Sequence, residues 1–143
     1  MPDRPYGSKK RRIAVIDDDA VFVDLMHDLL AEGEGYEVVS TQQWLRGFEF
    51  IKETQPDLVI LDLMLGREQT GWAVLELLRE EPTTAAIPVI LCSAAAPLLR
   101  ESPSQSGTGH GAVETVSKPF DVDNLLGVIE RLLATSTRPV LSD

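Results

Sequence analysis

The stretch LVILDLML, residues 58–65, is a run of seven apolar residues interrupted by one carboxylate, Asp62. Leu58, Val59, Ile60 and Leu61 lead into it, and Leu63, Met64 and Leu65 follow. A strand that is apolar at every position is covered on both faces, as in a parallel sheet flanked by helices. Stripping water from a carboxylate costs several kcal/mol unless the charge is paired. Asp62 therefore marks where the buried interior stops, and the rest of the chain must say what it faces.

Four further β-rich runs, residues 13–17, 36–41, 87–93 and 112–117, alternate with longer segments that are mostly amphipathic. Residues 20–32 place Phe22, Leu25, Met26, Leu29 and Leu30 on one helical face, opposite Asp24, His27 and Asp28. Gly33 and Gly35 stop that helix. Trp44, Leu45, Phe48 and Ile51 fall at helical spacing within 42–53, which Gln55-Pro56 ends. Residues 71–81 carry Trp72, Leu75 and Leu78 before Pro82. Asp121 can cap a last helix striped with Val122, Leu125, Leu126, Ile129, Leu132 and Leu133. Between Ser93 and Ala112 a helix is expected, yet Pro97, Pro103, Gly107, Gly109 and Gly111 leave a turn or two near 97–102 and then a loop. Strands alternating with helices predict an α/β, doubly wound parallel sheet whose fourth helix is short or irregular. His27 and His110 read as solvent-facing, Cys92 as buried and inert, and the Trp44 and Trp72 faces as core.

A length of 143 residues is the common size of one domain, and 43% apolar with 25% charged residues is an ordinary globular balance. No apolar run approaches the roughly 20 residues that span a bilayer, and MPDRPYGSKKRR lacks the apolar core of a signal peptide. One cysteine excludes an intrachain disulfide and a cysteine-rich metal site. The expected location is the cytoplasm, with no membrane partner. A net charge of −10 argues against nucleic acid as a direct ligand and suits a protein partner or a metal cation. Lys9, Lys10, Arg11 and Arg12 read as a solubilising terminus, not a nucleic-acid arm.

In doubly wound sheets ligands bind outside the carboxyl ends of the strands. The first run here ends in Asp17-Asp18-Asp19, the third in Asp62, the fourth in Cys92-Ser93 and the fifth in Ser117-Lys118-Pro119. Like charges at close quarters disfavour one another's ionised form, and a divalent cation resolves the conflict. Hard oxygen ligands favour Mg²⁺, which takes one or two carboxylates, keeps several waters and leaves room for a phosphate oxygen. Beside such an ion Asp62 is a candidate nucleophile toward a phosphoryl group. Lys118 would balance the developing charge, and Ser93 would donate to a phosphoryl oxygen. Each residue alone has a plainer reading: Asp18 or Asp19 as a helix cap, Ser93 as a polar strand end, Lys118 as a surface charge, Asp62 as a turn residue. Asp19 keeps the plain one. The chemistry rests on four strand ends taken together.

IAVIDDD, LVILDLML, LCSA and SKPF, in this order with helices between them, resemble the receiver domain of two-component response regulators. The resemblance covers residues 12–134 and leaves a basic N-terminal tail (1–11) and a C-terminal tail (135–143). It implies a flavodoxin-like (βα)5 sandwich with strand order 2-1-3-4-5. It also implies Asp62 as phosphoacceptor, Asp18 as direct Mg²⁺ ligand, Asp17 acting through water, and the Met64 backbone carbonyl completing the protein's share of the metal shell. Ser93 would be the hydroxyl that moves toward the phosphoryl group, Lys118 the cation that pairs with it, and Lys118-Pro119 a position where receivers often hold a cis bond. The implied partners are a sensor histidine kinase or histidine phosphotransfer protein, docking through apolar residues that the first helix exposes, and a downstream protein the residues do not identify. A stand-alone receiver is expected, because little chain follows residue 134.

Three departures from the family stand out. The loop LMLGREQTG runs one residue long, with Gly66 where proline is frequent; Thr115 stands where receivers carry Tyr or Phe; and the fourth helical segment is Pro/Gly/Ser-rich. The first adds backbone freedom. The other two share the surface receivers use for output, so phosphorylation chemistry is expected to be intact while the usual readout is not. Thr115 also reads simply as a β-branched strand residue. Two rival functions stay open: a phosphorylation-independent interaction module with the same fold, and an aspartyl-phosphate phosphatase of the haloacid-dehalogenase type. The latter needs an acid two residues past its nucleophile, where this chain has Met64. A flavin role fits less well, since three rim acids repel phosphate.

Overall fold

Along the strand that holds Asp62, Leu58 and Ile60 pack into one apolar cluster and Val59 and Leu61 into another. The same alternation runs through the neighbouring strands, with Ile13, Val15, Ile90 and Cys92 on the first side and Ala14, Ile16, Val89 and Leu91 on the second. The computed structural model describes residues 10–43, 46–62, 70–93, 113–117 and 121–135. In it β1 (Arg12–Ile16), β2 (Glu37–Thr41), β3 (Leu58–Asp62), β4 (Val89–Ser93) and β5 (Val113–Ser117) form one parallel sheet in the order β2-β1-β3-β4-β5. This is the doubly wound, flavodoxin-like sheet the sequence predicts.

Helices cover both faces. Helix α1 (Ala20–Met26) and α4 (Val122–Thr135) supply Phe22, Val23, Met26, Leu125, Ile129 and Leu132 to the first cluster. Helix α2 (Gly47–Thr54) and α3 (Thr70–Glu80) supply Ile51, Val74, Leu75 and Leu78 to the second. Each such side chain, taken wholly out of water, contributes about 1.5–3 kcal/mol. Of the residues read as a stripe on the last helix, Leu125, Ile129, Leu132 and Leu133 are buried and Val122 is exposed. Among the described residues, no helix is long and apolar enough to cross a membrane.

Several boundaries differ from expectation for local reasons. The helix expected over 42–53 starts at Gly47; ahead of it Thr41 Oγ1 accepts from the Gln43 amide (3.1 Å), a local competitor of the helical bonding pattern, and the Gln43 carbonyl accepts from the Arg46 amide (3.0 Å). It ends as expected, with Gln55 in the left-handed region at φ 46° and its amide donating to the Ile51 carbonyl. The fourth strand starts at Val89, not residue 87, since the preceding turn is locked by the buried Thr84 hydroxyl donating to the Leu78 carbonyl at 2.7 Å. The expected irregular segment between Ser93 and Ala112 lies outside the described residues, as do Trp44 and His110.

The first helix brings the main correction. After Met26 it continues as a wider π-helix (His27–Gly33), in which Leu30 is buried. The reading of His27 as solvent-facing does not hold: it is half-buried, with Nε2 3.0 Å from Ser40 Oγ on β2. That hydrogen bond ties the helix to the edge strand beside it, and periodicity alone gives no sign of it.

Tyr36, which leads into β2, packs against the first cluster. Burial pushes its phenol above the usual tyrosine range; Glu130 and Glu34 push the same way, and Arg11 opposes them. The folded chain therefore holds this proton to higher pH than the unfolded chain does. The resulting stability is fully present below the unfolded value of about 10 and is lost as pH rises through the folded one. Urea midpoints measured across this range should fall more steeply for the natural chain than for Tyr36→Phe, and the phenolate absorbance step that Y36F removes should lie above that of free tyrosine.

Candidate functional site

The register between β1 and β3 pairs Ile16 with Leu61, which brings the next residues, Asp17 and Asp62, side by side at the carboxyl edge of the sheet. Asp62 is the last residue of β3, paired with Cys92 of β4, so it belongs to the strand and does not lie past its edge. Its exposure is 7%, and that of Asp17 is 1%. Two carboxylates are thus buried at the sheet rim, with the exposed Asp18 beside them.

Backbone groups fix Asp17. Its amide donates to the Thr41 carbonyl at the end of β2 (3.3 Å), and its Oδ1 accepts from the Asp19 amide (2.9 Å). Asp19 in turn caps α1, with Oδ1 accepting from the Val21 amide at 3.0 Å. The capping role assigned to Asp19 is therefore present, and the bond to Asp17 is additional. Neither the Thr41 carbonyl nor the Asp19 amide has a side-chain signature, so residue types alone could not point to them.

One carboxylate oxygen from each of Asp17, Asp18 and Asp62 lies within 4.8 Å of the other two. Repulsion among three such oxygens becomes ligation when a cation sits between them, and a donor set made only of oxygens suits Mg²⁺ over softer metals. The residues present fit that ion. Ser93 closes β4 opposite Ser117, the last residue of β5, so its backbone stands next to that of Cys92, the partner of Asp62. Lys118 and Met64 lie outside the described residues. Cys92 is fully buried, as expected. Thr115 is exposed on β5, in register with Leu91.

Beside the rim, α1 exposes Val21 (76%) and Leu25 (47%). At the opposite end of β3, directly before Leu58, stands a second buried acid, Asp57. Its Oδ2 accepts from the Arg12 amide at 2.8 Å, and its own amide donates to the Arg12 carbonyl at 2.7 Å. The Arg12 guanidinium donates to the Thr54 carbonyl and pairs with Glu37 at 3.2 Å.

Known proteins resemble this chain in sequence and fold. The chain is 35% identical over 127 residues to the DNA-binding dual master transcriptional regulator RpaA of Synechocystis sp., covering 89% of this chain and 51% of RpaA. The chain thus spans about half the length of that relative. It is 28% identical over 123 residues to the polar-differentiation response regulator DivK of Brucella anthropi, covering 86% of this chain and 96% of DivK. The receiver domain of the Pseudomonas aeruginosa sensor histidine kinase PA1611, solved with a magnesium ion in its active site cleft, has the same fold. It superposes with a TM-score of 0.73 at 17% identity, covering 88% of this chain and 99% of that one. The sequence model of the response regulator receiver domain matches residues 13–130, from the first residues of β1 into α4, and the chain accordingly belongs to the receiver-domain family.

Proposed function

We propose that this receiver domain is a Mg²⁺-dependent phosphoacceptor switch, taking a phosphoryl group onto Asp62 from a phosphohistidine on a sensor kinase or histidine phosphotransfer protein. The observation that carries the proposal is the trio of carboxylate oxygens within 4.8 Å, two of them on buried residues at the carboxyl edge of the sheet. Asp17, Asp18 and Asp62 would hold the cation, with the Met64 carbonyl as a further ligand. When bound, the cation supplies positive charge against the phosphoryl oxygens.

The chain's own residues do the rest. A carboxylate oxygen of Asp62 attacks phosphorus; the bond from phosphorus to the imidazole nitrogen breaks, and that nitrogen takes up a proton. Ser93 donates to one phosphoryl oxygen and Lys118 offsets the charge on another. Water later cleaves the acyl phosphate, returning the Asp62 carboxylate and inorganic phosphate. The chain catalyses its own modification and turns over no external substrate. Docking of the donor uses α1 beside the rim, through exposed Val21 and Leu25, and the exchange takes place in the cytoplasm. Thr115 offers no ring to report the modification, so output runs without an aromatic switch.

Incubation with acetyl phosphate and Mg²⁺ should add one phosphoryl mass to the peptide containing Asp62, removable by hydroxylamine and absent when a chelator replaces Mg²⁺. No mass gain at any donor concentration would sink the proposal in favour of a phosphorylation-independent interaction module. Steady turnover of a phosphate monoester would instead make the chain a phosphatase.

A further inference from the structure

Asp19 is exposed, yet three of its polar groups are engaged. Its amide donates to Asp17 Oδ1, its Oδ1 accepts from the Val21 amide, and its carbonyl accepts from the Val23 amide at 3.1 Å. We infer that Asp19 is a positioning residue for the metal site: by capping α1 it holds the 18–19 peptide so that its own amide orients the buried Asp17 carboxylate toward Asp18 and Asp62. The inference rests on the reading of the rim as a Mg²⁺ site.

The physical reason is the order of the bonds. An aspartate at the end of a strand can swing between staggered rotamers, and only some bring its oxygens toward the neighbouring carboxylates. The Asp19 amide selects among them by fixing Asp17 Oδ1 at 2.9 Å. That amide points correctly only while Asp19 keeps its extended backbone, φ −92° and ψ 110°, at the start of the helix. The side-chain bond to Val21 holds this geometry. Alanine keeps the amide but loses the cap, so the first turn frays and the peptide is released to reorient. Asparagine and serine cap as well as aspartate does, and threonine caps less well. An exposed charge beside a cation is screened by solvent and salt, so the charge of Asp19 itself contributes little.

Calorimetric titration of Mg²⁺ separates these roles, with chelator-state melts recorded for each variant. Asp19→Ala should bind Mg²⁺ roughly tenfold more weakly, the scale of losing a group that orients a ligand. Asp19→Asn and Asp19→Ser should stay within about twofold of the natural chain, and Asp19→Thr should fall between, following the capping order. The graded Thr variant keeps the test open should the Ala variant fold poorly. Unchanged Mg²⁺ affinity in D19A, even with a lowered melting point, would reduce Asp19 to a structural cap and overturn the inference alone. Equal weakening in D19N, D19S and D19A would assign the effect to charge and overturn it too. A natural chain that takes up no Mg²⁺ overturns the functional reading and the inference together.

Discussion

Asp62→Asn will show no hydroxylamine-labile phosphorylation from any donor, while melting in chelator no lower than the natural chain does. Asparagine matches the shape of aspartate, so the pairing with Cys92 and the packing beneath it persist. Its amide oxygen carries no negative charge with which to attack phosphorus, and loss of a covalent nucleophile lowers the rate by at least about a thousandfold. Stability moves the other way. In chelator, three carboxylate oxygens within 4.8 Å repel one another, and the substitution removes one of the charges. In saturating Mg²⁺ the order reverses, because a cation bound only by the folded chain adds about 2.7 kcal/mol at a hundred times its dissociation constant. D62N, with a weakened site, gains less. Mass spectrometry of the labelled peptide and paired melts with and without Mg²⁺ check both halves. Label persisting on D62N, or moving to Asp17 or Asp18, would show that the nucleophile was misassigned.

Much of this was legible in the residues because two-sided burial leaves a plain trace. IAVI, LVIL and VILC are apolar at each position since each residue faces one of two helical layers, and every one of them is buried. Strand order follows from the family resemblance. The rim follows from the parallel arrangement, which puts all carboxyl ends on one edge and so gathers Asp17, Asp18 and Asp62 from distant positions in the chain.

The remainder depended on bonds that residue types do not announce. His27 stands in a polar position of a regular helix, and only the widened turn, with Ser40 within reach, makes it half-buried. Val74 and Val128 are buried though neither belongs to the stripes that mark their helices, because each packs at the flank of a broad apolar face. Ahead of α2 the Thr41 hydroxyl is a local competitor of the helix. Most instructive is the pair of acids that bracket LVIL. In sequence each directly flanks LVIL, Asp57 before it and Asp62 after it, and only the LML that follows Asp62 distinguishes their settings. In the structure one is bonded to the backbone of the neighbouring strand and the other joins two more carboxylates.

That contrast carries the last prediction. Asp57→Ala should cost about 2–3 kcal/mol, because it strips the Arg12 amide of a charge-assisted partner in a place that water reaches poorly. The loss should appear as a fall of roughly 10 °C in the melting midpoint for a domain of this size. Asp57→Asn should lose less, since its carbonyl oxygen can still accept from the Arg12 amide now held at 2.8 Å from Oδ2. Phosphorylation and Mg²⁺ affinity of the folded D57A chain should stay within about twofold of the natural values, because the four strand residues LVIL lie between Asp57 and Asp62, which puts the two acids roughly 16 Å apart. A D57A chain as stable as the natural one would mean that solvent replaces the carboxylate at the Arg12 amide without cost. A folded D57A chain that cannot be phosphorylated would mean that the two ends of β3 are mechanically coupled. The expected pattern is reciprocal: removing Asp57 takes away stability and spares the chemistry, and removing Asp62 takes away the chemistry and spares stability. Burial is the same for both acids, 7% exposed in each case, so burial alone does not separate the structural acid from the functional one. What separates them is their company: Asp57 accepts from the backbone of the neighbouring strand, whereas Asp62 lies with the carboxylates of Asp17 and Asp18, whose gathered charge a cation would offset.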